Sequence, residues 1–68
     1  GTQVVFFMKW LEKDTYRVSM RSKGTNVSRI AQGFGGGGHI RAAGCTLHAP
    51  FDEAKSTILA VIGEELNR

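Results

Sequence analysis

The chain has 68 residues, 41% of them apolar and 22% charged, with a formal net charge of +3. That length holds one small domain and not two, and the composition is too apolar for a disordered segment. No apolar run approaches the roughly twenty residues of a membrane span, there is no signal-peptide pattern, and the single cysteine, Cys45, excludes an internal disulfide, so a cytoplasmic protein is the default expectation.

Gln3 to Leu11, QVVFFMKWL, is β-branched and aromatic almost without interruption, which predicts a central strand buried on both faces. EKDT at 12–15 is polar and turn-like. From Tyr16 to Ser22 the chain alternates, with Tyr16, Val18 and Met20 on one face and Arg17, Ser19 and Arg21 on the other, and the short connection predicts an antiparallel hairpin. KGT at 23–25 breaks the strand. Asn26 is a good N-cap for a helix whose stripe is Val27, Ile30, Ala31 and Phe34, at the spacing of one helical face. Gly33 falls where a helix end favours a left-handed residue.

After the glycines, HIRAA is expected to form a short helical turn, and Cys45 to Ala49 a strand with Cys45 and Leu47 facing one way and Thr46 and His48 the other. Pro50 ends it. Asp52 and Glu53 then favour the first turn of a closing helix, with Ala54, Ile58, Val61, Ile62 and Leu66 as its apolar stripe and Arg68 near its favourable end. The expected fold class is α+β (α/β), a small mixed β-sheet with helices packed on it, in the order β-β-α-(turn)-β-α.

Charge is unevenly placed. Between Thr15 and Pro50 there is no acidic residue, while Arg17, Arg21, Lys23, Arg29, Arg41 and both histidines lie there. A basic middle between acidic flanks suits a phosphate-bearing partner, although a solvated face reads equally well from charge alone. The stretch GFGGGGHIRAAG, residues 33–44, invites comparison with phosphate loops. Gly33, Gly35 and Gly38 match G-x-G-x-x-G, but a dinucleotide fold needs a strand before the loop and a long helix after it. Here the helical pattern precedes the loop, and no Lys-Ser or Lys-Thr follows it as a P-loop requires. Consecutive glycines can still aim backbone N–H groups at an anion, with His39 and Arg41 as side-chain donors. Close packing of helix and strand is the alternative that the residues alone leave open.

No spacing of histidine, cysteine or carboxylate suggests a metal site, and nothing links His39 or His48 to Cys45 as a catalytic pair. Cys45 reads as a small buried residue, His48 as structural or exposed, and Arg29 as a solvated helix residue. The basic span holds no carboxylate for general acid or base work, so the segment reads as a binder.

MRSKGTNVSRIAQGFGGGGHIRAAG, residues 20–44, resembles the DHH-associated C-terminal domain of the DHH phosphoesterase superfamily: an Arg-Ser at a strand end, an Asn-Val helix start, then G-G-G-H followed by Ala-Ala-Gly. The likeness covers most of the chain and is nearest to the bacterial nanoRNase branch, which joins oligoribonuclease and 3′-phosphoadenosine 5′-phosphate phosphatase activities. The resemblance implies that residues 1–68 are one substrate-binding domain whose catalytic N-terminal DHH domain lies elsewhere in a longer chain, an expectation in keeping with a start at Gly1. That DHH domain is expected to carry two metal ions, usually manganese, with no cofactor bound by this segment. Arg21, Ser22, Gly36, Gly37, Gly38 and His39 match the family's motif positions and are the expected substrate contacts. Arg41 is added from its charge and Lys23 and Asn26 as secondary contacts, while Arg17, which shares Arg21's face, reads as solvated or as lining the cleft. The implied partners are short single-stranded RNA or nucleotide phosphates and the DHH domain itself, with no membrane. A homodimer through exposed strand edges is left open. Other members of the superfamily, the cyclic-dinucleotide phosphodiesterases and exopolyphosphatase-related proteins, share the pattern. So does the tRNA-binding C-terminal domain of alanyl-tRNA synthetase, which usually has Arg-Pro where this chain has His39.

Overall fold

The computed structural model describes residues 3–68. Strands β1 (Val4–Glu12) and β2 (Thr15–Ser22) form a hairpin, helix α1 (Val27–Gln32) follows, strands β3 (Gly37–His39) and β4 (Ala42–Leu47) form a second hairpin, and helix α2 (Phe51–Leu66) closes the chain. The four strands lie in the order β1-β2-β4-β3, and every ladder is antiparallel. This is the α+β class expected from the sequence.

Several details depart from expectation, among them the last strand, which runs Ala42–Leu47 and not Cys45–Ala49. β1 is an edge strand, not a central one. Its exposure alternates from Val4 to Met8, and Phe7 and Trp10 are more than half exposed. The apolar run reads as doubly buried, but an edge position covered on one face leaves its odd-numbered residues in solvent. HIRAA is not helical. His39 ends β3, Ile40 and Arg41 make the turn, and Ala42 begins β4. Tertiary bonds hold that turn: the Ser22 amide donates to the Arg41 carbonyl at 2.9 Å and the Val27 amide to the Ile40 carbonyl at 3.0 Å. Leu66 is largely exposed, so the stripe of α2 ends at Ile62.

The helix α1 forms as its cap predicts, with Asn26 Oδ1 accepting from the Arg29 amide at 3.0 Å. Its end lies later than expected. Gly33 is right-handed, at φ −63°, and Gly35, at φ +78°, is the left-handed residue. The Gly35 amide donates to the Gln32 carbonyl and the Gly36 amide to the Ala31 carbonyl, the paired bonds of a Schellman closure.

The period of two in β2 and β4 separates the sheet's faces. Val18, Met20, Cys45 and Leu47 point to one face, where Val27, Ile30 and Ala31 of α1 and Ala54, Ile58 and Ile62 of α2 complete a single core. Both helices therefore cover the same face. An Arg29–Glu65 ion pair at 3.7 Å joins α1 to α2, an exposed contact of small energetic weight. Tyr16 packs edge-on against Phe51, ring centroids 5.6 Å apart. No helix is long and apolar enough to cross a membrane among the described residues.

Candidate substrate-binding face

The face of the sheet away from the helices carries the candidate site. Register defines it in rows. Val5 lies opposite Arg21, Arg21 opposite Ala42, and Ala42 opposite His39. The next row is Phe7, Ser19, Gly44 and Gly37, and the third is Lys9, Arg17 and Thr46. Directly paired residues on antiparallel strands point to the same side. So Arg21 and His39 stand at one level, separated by a single strand, roughly 10 Å apart at the backbone.

Between them is a trough of small residues. A cavity of about 290 Å³ is lined by Arg17, Ser19 and Arg21 of β2, Gly37 and Gly38 of β3, and Ala42, Ala43 and Gly44 of β4, with Met20 at its margin. A smaller hollow of about 170 Å³ shares Arg21 and adds Gln3, Val5, Ser22 and Lys23. A larger hollow of about 330 Å³, near Phe34, His48 and Ala54, has no lysine or arginine in its lining and is the weaker candidate for an anion. The only ion pairs among the described residues are Arg29–Glu65 and Arg68–Glu65, so Lys9, Arg17 and Arg21 face solvent without a carboxylate partner.

The structure sorts the glycines by cause. Gly35 closes α1. A Cβ on Gly36 would lie 2.2 Å from the Gly44 carbonyl oxygen and 2.9 Å from Cys45 Cα. Gly38 has φ +146°, and a Cβ there would meet the Ala42 carbonyl oxygen at 2.6 Å. Its own carbonyl accepts from Ser28 Oγ of α1 at 3.3 Å, and Gln32 Nε2 donates to that hydroxyl at 3.0 Å. Gly37 is different: nothing lies within 4 Å of a Cβ built there. Neither backbone angle nor packing requires glycine at Gly37, and its side-chain direction is toward the trough. Bare backbone at Gly37 leaves the trough open at that point. Gly36 has its amide already engaged by Ala31, so it shapes the wall and has no N–H to offer an anion.

Arg17 is drawn into the site. A Cβ on Gly44 would lie 2.7 Å from Arg17 Nη2, so the guanidinium lies over the Gly44 backbone at the trough floor. Beneath that floor Cys45 is buried. Burial pushes the Cys45 thiol up from its ordinary pKa, and the positive charge of Arg17 pulls the other way.

The other expected contacts have other surroundings, although Ser22 also borders the smaller hollow beside Arg21. Ser22 faces the core, and its Oγ accepts from the Thr25 amide at 2.7 Å and the Gly24 amide at 3.1 Å. It builds the turn out of β2, next to Arg21 but on the opposite side of the strand. We expect Ser22→Ala to cost about 1–3 kcal/mol in a urea titration, because it orphans a buried N–H. Full stability with weaker ligand binding is the result that restores Ser22 to direct contact. Asn26 is engaged as the helix cap. Arg41 is exposed in the β3–β4 turn and borders none of the three hollows. His39 is exposed and lies outside the trough's lining, level with Arg21 by register. Arg17, which lines the trough, is the residue that sequence reasoning undervalued, and Phe7 is the large exposed side chain on this face that it placed in a doubly buried strand. The signal for Arg17 was its shared parity with Arg21. The signal for Phe7 was masked by the apolar run around it.

Fold and face together define a small α+β domain with a basic, glycine-floored sheet surface. The sequence matches the DHHA1 domain family over residues 1–68, and the chain belongs to that family. Two relatives carry the name bifunctional oligoribonuclease and PAP phosphatase NrnA. The one from Thermus thermophilus is 40% identical over 70 aligned residues, which take in all of this chain and 21% of that protein. The one from Mycoplasma pneumoniae is 50% identical over 40 residues, 59% of this chain and 12% of that protein. The chain thus spans about a fifth or less of the length of these relatives.

Proposed function

We propose that this domain binds the substrate of a phosphoesterase that acts on short oligoribonucleotides or on 3′-phosphoadenosine 5′-phosphate. The observation that carries the reading is the sheet face itself, where Arg17 and Arg21 flank a floor of Ser19, Ala42, Gly44 and Gly37 with no carboxylate to neutralise them. Arginine offers a planar fork for phosphate oxygens, and the bare floor lets a ligand approach the backbone. The names of the relatives supply the substrate class. Cyclic dinucleotides and polyphosphate present similar anions and are the alternatives to be tested beside it.

In this reading the domain positions phosphate, which is the orientation part of catalysis, and the chemistry belongs to a DHH domain of the same protein. Among the described residues no group of three histidine, cysteine or carboxylate side chains is placed to hold a metal ion. The donor set here therefore does not fit the two manganese ions that the resemblance implies, and their ligands are to be sought outside this chain.

The test is a titration of this chain with the diribonucleotide pApA, followed by amide NMR. Shifts are expected at Gly37, Gly38, Ala42 and Gly44, without hydrolysis. Arg21→Ala is expected to weaken binding at least about tenfold, the loss of a charge-assisted hydrogen bond. Silence at those amides with millimolar pApA, or equal affinity in Arg21→Ala, overturns the proposal.

A further inference from the structure

Phe7 lies outside the core of this fold. From the same strand Val4, Phe6 and Met8 pack against the core, while Phe7 points to the other face with 64% of its surface exposed. Its row explains the exposure. The residues that follow it across the sheet are Ser19, Gly44 and Gly37, none larger than a hydroxymethyl group. The aromatic ring is thus one end of a lane whose other end is the glycine strand, and the Arg17 guanidinium lies over Gly44 between them. Arg21 and Arg17 are the diagonal neighbours of Phe7 on β2, roughly 7–8 Å away, and Lys9 shares its face on β1.

Resting on the proposed reading of this face, we infer that Phe7 is a stacking platform for a nucleobase, set beside the arginines that take the phosphate. The ligand class is therefore a nucleotide with its base, and a bare polyphosphate or sugar phosphate leaves half the surface unused. An apolar protein segment laid on Phe7 would cover Lys9, Arg17 and Arg21, none of which has a carboxylate partner among the described residues, and would leave those charges without compensation. A nucleotide matches both halves: its phosphate meets the cations and its base has a π-face for the ring. A phenyl ring takes any base, so the subsite favours bases over their absence without choosing among them.

The experiment compares pApA with its analogue in which both bases are replaced by abasic ribose, each titrated into this chain. The wild-type chain is expected to bind pApA about tenfold tighter than the abasic analogue, within the range measured for one stacked base. Phe7→Ala is expected to bring the two affinities together by weakening only pApA, and Phe7→Tyr to keep the wild-type ratio. Phe7→Leu, which keeps an apolar side chain on the strand, guards against a fold defect and is also expected to lose the ratio. An unchanged ratio in Phe7→Ala and Phe7→Leu overturns this inference. If Arg21→Ala still weakens both ligands in that case, the phosphate reading stands without it. If Arg21→Ala weakens neither, the phosphate reading falls as well.

Discussion

Gly36→Ala is expected to unfold most of this domain. The added Cβ would sit 2.2 Å from the Gly44 carbonyl oxygen and 2.9 Å from the Cα and Cβ of Cys45. The nearest obstacles are backbone or buried, so no flexible side chain can swing away. Relief requires β3 to move off β4, which breaks the second hairpin and the Gly36–Ala31 bond that closes α1. Overpacking of this kind costs about 3 kcal/mol, and a domain of this size rarely holds more than about 3–5 kcal/mol in all. Gly37→Ala, one residue along, is expected to melt within a few degrees of wild type, because nothing lies within 4 Å of its new methyl. That methyl projects into the trough, so its affinity for pApA is expected to fall several-fold. Thermal melts by circular dichroism and titrations of both variants decide the matter. Equal melting of Gly36→Ala and wild type, or a Gly37→Ala chain that binds normally, contradicts the division of the glycines by cause.

Ile58→Ala is the second large effect. Helix α2 is anchored by Ala54, Ile58 and Ile62, four residues apart on one face, and Ile58 is fully buried among the side chains of sheet and α1. Truncation removes its apolar area from the core and leaves a cavity, together about 3 kcal/mol. Leu59 is the internal control. It has the same number of carbons and is 48% exposed, so Leu59→Ala is expected to change stability by about 0.5 kcal/mol or less. Urea midpoints separate the two. Comparable losses from both would mean that α2 packs by a broader face than the burial pattern shows.

Much of this arrangement was legible in the residues. Tyr16 to Ser22 alternates because one face is buried, and that local rule needs no knowledge of partners. Asn26 signals the start of α1 because a cap acts within three residues. The remainder depends on distant contacts. GGH at 37–39 has no strand propensity and becomes β3 only because β4 is there to pair with it. HIRAA suggests a helical turn until the Ser22 and Val27 amides claim the Arg41 and Ile40 carbonyls. QVVFFMKWL looks doubly buried because periodicity cannot say what covers each face of a strand. The motif pointed to Arg21, Gly37, Gly38 and His39; the first three line the trough, and His39 lies outside its lining, level with Arg21 by register. It also pointed to Ser22, whose hydroxyl serves the turn, and to Arg41, which lies outside the hollow. It gave no weight to Phe7.

The separation of the two faces has a consequence for how such a domain can change. Positions 7, 19, 42 and 46 share the sheet face away from the helices, while their chain neighbours on β1, β2 and β4 carry core contacts. A replacement at these outward positions alters what the surface accepts and leaves the buried assembly of Val18, Met20, Cys45, Leu47, Ile30 and Ile58 undisturbed. Ligand preference and foldability are thereby inherited on alternate residues of the same strands. Under the proposed reading of this face, a lineage can exchange one ligand for another by single outward replacements without passing through an unfolded intermediate sequence.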